Sequence, residues 1–173
     1  MIRNRKDKQS GQTLLEALIA LATAVVIISA MTVIVLSSLN NAQFSKNQNQ
    51  ATQYAQQGTE VLKNLSQSNW VTFSTYNLTN YCMLPDNSLL QEIGGSCGQN
   101  LGIFSREVVL NQYAAGDITS PGYADCLPTS VVRAKITVSV GWSDNKCTSA
   151  TNPYCHKIKL ISCIYNSPAI PAP

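Results

Sequence analysis

Gly11-Gln12-Thr13-Leu14-Leu15-Glu16-Ala17-Leu18-Ile19-Ala20-Leu21-Ala22-Thr23-Ala24-Val25-Val26-Ile27-Ile28-Ser29-Ala30-Met31-Thr32-Val33-Ile34-Val35-Leu36-Ser37-Ser38-Leu39 is the stretch whose reading decides the fold. Between Lys8 and Lys46, Glu16 is its one charged side chain. About 26 residues from Leu14 onward are free of charge apart from that acid, and a hydrocarbon core needs roughly 20. Three readings compete: a cleaved secretory signal, a plain anchor, or a membrane helix with a task at its N-terminal end. A secretory apolar region runs about 7–15 residues before small residues at the cut. Cleavage at Ala20-Leu21-Ala22 or Ala22-Thr23-Ala24 would leave Val25 to Leu36 exposed on a soluble product. A plain anchor leaves Glu16 unexplained, because a carboxylate inside apolar surroundings costs a few kcal/mol unless it snorkels to the interface or has a partner.

Ahead of this stretch, residues 1–11 form a polar leader with Arg3, Arg5, Lys6 and Lys8 against Asp7. The formal charge of +3 resides wholly there, leaving 8 basic and 8 acidic residues in the rest of the chain. Positive flanking charge stays on the cytoplasmic side, so the N-terminus is expected inside and the remainder exported. The basic leader, the Gly11/Gln12 junction, Glu16 five positions after the glycine and the long apolar helix together resemble the N-terminus of type IV prepilins and type II secretion pseudopilins. The resemblance covers residues 1 to about 45. It implies that a prepilin peptidase cuts between Gly11 and Gln12 and that the new N-terminus is methylated. It further implies that Leu14, Leu15 and Glu16 belong to the assembly face of the helix. In that role the Glu16 carboxylate is neutralised by the free amine of a neighbouring subunit and sets axial register. The family most often carries Phe where this chain has Gln12, and many major pilins carry a helix Pro that is absent here.

Working outward in the other direction, the only glycine between Gln12 and Ile93 is Gly58, and the first proline is Pro85. Nothing therefore breaks a helix before about Ser68. Phe44, Ala51, Ala55, Gly58, Leu62 and Leu65 recur at helical spacing and define one apolar face, opposite Gln43, Lys46, Gln50, Gln53, Gln57, Glu60 and Asn64. Such a helix would be on the order of 80 Å long. Residues 12–39 make its membrane or assembly half and residues 40–68 its amphipathic half. Gly58 reads as a close-packing position against a strand.

Residues 69–165 are expected to form an extracytoplasmic head, and residues 166–173, with three prolines, an extended tail. Residues 69–102 carry the turn signals Pro85-Asp86-Asn87 and Gly94-Gly95-Ser96-Cys97-Gly98 and read as an irregular loop. The clearest strand is 131–142, where Val132, Ala134, Ile136, Val138, Val140 and Trp142 alternate with polar or small neighbours. Residues 104–110 and 156–165 are the flanking strands, the latter with Ile158, Leu160 and Ile164 on one face. The whole is α+β: a long N-terminal helix packed on a small antiparallel sheet of three to four strands. The resemblance implies the same packing.

Cys82, Cys97, Cys126, Cys147, Cys155 and Cys163 all lie in the exported part, where an even count reads as disulfides. Cys147 and Cys155 share one hairpin loop and Cys82 and Cys97 flank one turn-rich segment, which leaves Cys126 for Cys163. A metal centre is not expected, since no C-x-x-C occurs and His156 is the lone histidine. No cofactor is expected either.

A catalytic set is equally absent from the pattern, with Asp117, Asp125 and Asp144 scattered through loops and His156 beside a disulfide cysteine. No residue run matches a calcium loop. Arg133, Lys135, Lys157 and Lys159 lie on strands. With Cys147 and Cys155 bracketing the turn, Lys159 falls opposite about Gly141, roughly 20 Å along the strand from Lys135. A nucleic-acid groove wants clustered bases with aromatics between them, so neither nucleic acid nor a small molecule is an expected partner. The expected partners are the prepilin peptidase, other pilin or pseudopilin subunits and, for the precursor, the cytoplasmic membrane. The function expected is that of a non-enzymatic minor pilin or pseudopilin. A membrane-anchored extracytoplasmic domain that binds ligand or DNA and never polymerises is the alternative.

Overall fold

The computed structural model describes residues 10–76, 80–92, 95–144, 147 and 153–166. The expected leader (residues 1–9 of it) and all but the first residue of the expected tail lie outside the described residues. The chain divides into two units, residues 1–46 and 47–173. Helix α1, Ser10–Ser68, is one unbroken element of 59 residues.

In the first unit, every described side chain from Thr13 to Lys46 is exposed. Three hydroxyls inside the apolar run bond to their own helix: those of Thr23, Ser29 and Thr32 donate to the carbonyls of Ala20, Val25 and Ile28 at 2.8–2.9 Å. A hydroxyl returned to its own helix leaves nothing for lipid to solvate. The helix is long and apolar enough to cross a membrane.

In the second unit, the end of α1 packs on a sheet. Serines and an asparagine close the helix: Ser66 and Ser68 donate to the carbonyls of Lys63 and Leu65. Asn69 then turns the chain, accepting through its side chain from the Thr72 amide at 2.9 Å and so capping a short helix α2, Trp70–Thr75. This is the usual use of Asn at a helix start, where its oxygen replaces a missing helical acceptor. Five strands follow: β1 Asn80–Met83, β2 Leu89–Gln91, β3 Phe104–Tyr113, β4 Arg133–Trp142 and β5 His156–Tyr165. They pair antiparallel in the order β2-β1-β3-β4-β5.

The α+β expectation holds, with five strands in place of three to four. Residues 69–102 are also less irregular than their turn signals suggest, since they contain α2, β1 and β2. With four and three residues, β1 and β2 are too short to display alternation, and β1 is a strand because β3 supplies its partner. The 104–110 strand runs on to Tyr113, and the 131–142 strand begins at Arg133.

The core lies between α1 and one face of the sheet. Ala51, Ala55 and Leu62 are fully buried against a cluster that includes Val108, Leu110, Ile136, Val138 and Val140. Phe44, by contrast, is exposed. At Gly58 a Cβ atom would stand 3.1 Å from Val138 Cγ1 and 3.2 Å from Met83 Sδ, so the small residue lets helix and sheet approach. Tyr54, Phe104 and Trp142 extend the core as a chain of edge-on rings, 5.4 and 6.3 Å between centroids. Each fully buried large apolar side chain contributes about 1.5–3 kcal/mol.

Two arginines are also fully buried. Arg106, on the helix-facing side of β3, donates to the carbonyls of Met83 and Leu84 and to the side-chain oxygens of Gln57 and Asn87. Burial draws its guanidinium below the ordinary arginine value. Arg133, on the opposite face, donates to the carbonyls of Ala114, Thr129 and Asp117 and lies over the Tyr113 ring.

Candidate functional site

The residues expected to serve processing and assembly stand at the head of α1. Gly11 and Gln12 fall in its first turn, because the helix starts at Ser10 and not after the leader. Gln12 and Glu16 are one turn apart, a spacing that shares a helix face. Leu14 and Leu15 are 66% and 61% exposed, and Glu16 is exposed as well. A continuous apolar surface of this length is far beyond what water tolerates on an isolated soluble domain.

The second concentration of chemistry lies on the sheet face away from α1. There the register places Ser105, Gly141 and Lys157 in one row and Glu107, Ser139 and Lys159 in the next. Lys159 is therefore opposite Ser139, not Gly141 as the symmetric placement of the cysteines suggested. The reason is that Cys155 abuts β5 whereas Cys147 lies well beyond the end of β4. Two of the four strand bases are neutralised locally: Lys135 pairs with Asp125, and Lys157 with Glu107 at 3.1 Å. A third, Arg133, is buried, so these residues do not form a basic groove.

Loops are stapled over this face. Cys82 pairs with Cys97, Cys126 with Cys163 and Cys147 with Cys155, the same three pairs favoured by loop membership and remainder. Cys126–Cys163 ties the 114–132 connection to β5, and the Tyr165 hydroxyl adds a bond to the Leu127 carbonyl. At the other end Tyr154 rests on Gly141, whose added Cβ would meet the Tyr154 Cβ at 3.0 Å.

Between these staples is a cleft of about 340 Å³ lined by Ser96, Ser105, Glu107, Gly141, Tyr154 and Lys157 among others. Ser105 is buried and its hydroxyl oxygen has no hydrogen-bond partner among the described residues. Burial first, and then the Glu107 carboxylate, push the Tyr154 phenol above its ordinary value. Among the described residues the cleft offers hydrogen bonds and one ion pair.

Next to it, the β4–β5 connection gathers Asp144, Cys147, Cys155 and His156, with one candidate ligand atom from each lying within 4.8 Å of the others. His156 Nε2 is 2.9 Å from Asp144 Oδ2, and its ring stacks on Trp142 at 5.3 Å. Sequence reasoning dismissed His156 for want of a second histidine and left Asp144 among scattered acids. The available signal was the near-mirror pattern Asp144-x-x-Cys147 and Cys155-His156 flanking one hairpin loop.

Comparison with protein-family models, with curated proteins and with solved structures found no match.

Proposed function

We propose that the chain is a structural subunit, a minor pilin or pseudopilin, of a type IV pilus or type II secretion pseudopilus. A prepilin peptidase removes residues 1–11, and the subunit assembles through α1. The observation that carries this reading is the pairing of the Gly11-Gln12 junction and Glu16 with an uninterrupted helix whose described side chains are exposed from Thr13 to Lys46. In a bilayer, lipid covers that surface; in a filament, the same surface is covered by helices of neighbouring subunits. Self-satisfied hydroxyls at Thr23, Ser29 and Thr32 suit both surroundings. Precursor localisation follows as a single pass through the cytoplasmic membrane with the N-terminus inside, then an extracytoplasmic filament. Six cysteines and the lack of a calcium-loop sequence favour a minor component.

One observation favours a second reading: the polar cleft with the unpartnered Ser105 hydroxyl suits an anchored extracytoplasmic binding domain. Intact mass of the full chain coexpressed with a prepilin peptidase separates the two, with Gly11→Ala as control. Loss of residues 1–11 from the parent alone, with or without one added methyl group, supports the filament subunit. A parent chain that keeps its leader overturns it and leaves the anchored domain.

A further inference from the structure

The Asp144, Cys147, Cys155 and His156 cluster contains more chemistry than a hairpin cross-link needs. The Cys147–Cys155 disulfide alone closes the loop, yet a carboxylate and an imidazole converge on the two sulfurs. The imidazole is oriented on both sides, by Asp144 at Nε2 and by the Trp142 ring beneath it. We propose that when a dithiol opens this disulfide, the four side chains form a tetrahedral site for a borderline-soft divalent cation, Zn²⁺ above all, and the hairpin exchanges a covalent staple for a metal one.

The donor set selects the ion. Two thiolates, one imidazole and one carboxylate are the ligand types Zn²⁺ takes in four-coordinate sites, at about 2.3 Å for sulfur and about 2.0–2.2 Å for nitrogen and oxygen. Those bond lengths place the ligand atoms roughly 3.2–3.8 Å apart, inside the span the four groups already occupy. Calcium and magnesium want about six or more oxygens, and this cluster offers only those of Asp144.

The conversion balances. A dithiol reductant gives two electrons and two protons to the disulfide, breaking the sulfur–sulfur bond, and closes to its own cyclic disulfide. Cys147 and Cys155 then exist as thiols, and Zn²⁺ binding releases their two protons to solvent. His156 binds as the neutral imidazole and Asp144 as the carboxylate.

Cys155 is the exposed cysteine of the six, whereas Cys126 is fully buried and Cys82, Cys97, Cys147 and Cys163 are half-buried. The β4–β5 ladder, from Arg133↔Tyr165 to Trp142↔His156, does not depend on the Cys147–Cys155 bond for its register, so His156 stays on the sheet, with Cys155 next to it and Asp144 two residues beyond Trp142. On the proposed topology, which this step shares, a newly made chain meets reducing conditions before export and oxidising ones after it. The metal and disulfide forms are thus alternatives for two compartments, and this inference is independent of whether the chain forms a filament.

The test uses the full chain in detergent, reduced with dithiothreitol and desalted anaerobically, with alkylation and intact mass to establish which cysteines opened. Zn²⁺ stoichiometry is read against a chromogenic chelator, and Co²⁺ is used as a spectroscopic substitute. Expected are one Zn²⁺ per reduced chain, none in the oxidised chain, and a Co²⁺ spectrum with tetrahedral ligand-field and thiolate charge-transfer bands. His156→Ala and Asp144→Asn should each weaken binding by more than the roughly 10–100-fold cost of losing an outer-shell partner. Cys147→Ser/Cys155→Ser should bind none while circular dichroism matches the parent. The proposal is overturned if the reduced chain binds no Zn²⁺, if it loses its fold on reduction, or if His156→Ala and Asp144→Asn bind as tightly as the parent.

Discussion

The Arg106 guanidinium donates to the Leu84 carbonyl at 2.6 Å, tying the chain just beyond β1 to the helix-facing side of β3. Its other bonds go to Met83 and to the side chains of Gln57 and Asn87, so one buried cation holds together α1, the β1–β2 turn and the sheet. Arg106→Ala takes the donor from the Met83 and Leu84 carbonyls and opens a cavity. A loss of about 2–5 kcal/mol is expected. Arg106→Lys should recover only part, because an ammonium lacks the planar fork that reaches several carbonyls at once. Urea unfolding of the full chain in detergent, followed by tryptophan fluorescence, reads both. An Arg106→Ala protein within about 0.5 kcal/mol of the parent, the range of ordinary surface changes, would refute this account.

Gly58 makes a second, opposing pair of effects measurable. Alanine gains up to about 1 kcal/mol of helix propensity, but its Cβ arrives 3.1 Å from Val138 Cγ1 and 3.2 Å from Met83 Sδ. The two should nearly cancel in Gly58→Ala. Gly58→Leu has no such compensation and forces helix and sheet apart, at about 1–3 kcal/mol or more. Thermal unfolding of both variants is the check; equal melting temperatures for Gly58→Leu and the parent would mean that α1 does not depend on this close approach.

These two residues also mark how far the sequence could be read. The stripe through Ala51, Ala55, Gly58 and Leu62 was visible because helical spacing is a local property, and β4 because its core-facing residues alternate over ten positions. Arg133 falls among the wet-face residues of β4, and Arg106 is a charge at a core-facing position of β3. Their burial depends on carbonyls delivered by distant turns, which no local pattern records. In the same way α2 is pinned by the Gln112 side chain, which donates to the carbonyls of Phe73 and Tyr76. The cluster at His156 was hidden for a related reason: Asp144 and His156 meet only because Trp142 and His156 are the last pair of the β4–β5 ladder.

Asp117 supplies a pH signature. Its carboxylate accepts from the amides of Thr119 and Ser120 at 3.0 and 3.1 Å. Hydrogen bonding from the Ser120 side chain, followed by these amides, holds its pKa down to about 2 from an ordinary 3.8. Because the folded value is the lower one, the stabilisation is present above about pH 4 and is lost as pH falls through about 2. The Asp117 carbonyl receives Arg133, so this turn also closes over the buried cation. Asp117→Asn should lower the melting temperature near neutral pH, and the difference from the parent should shrink between about pH 4 and pH 2. A difference that is constant across that window would show that the carboxylate's charge contributes nothing to the turn.

Glu16 tests assembly separately from processing. It is one turn beyond Gln12 on α1, close enough in sequence to share a helix face with the amine that cleavage would create; on the proposed function its partner in a bundle of such helices is a neighbour's amine. An unpaired charge within apolar surroundings costs a few kcal/mol. Removing the acid leaves the neighbour's ammonium in that position, and even 1.4 kcal/mol per contact is a factor of about ten in incorporation. Glu16→Ala is therefore expected to be cut by the peptidase as the parent is, by intact mass, but to appear in sheared filaments at about a tenth of the parent's level or less, by immunoblot against the membrane fraction. Normal cleavage with normal incorporation would remove the register role from Glu16. Failed cleavage would instead place the acid in peptidase recognition, a different step that the mass spectrum identifies before any filament is examined.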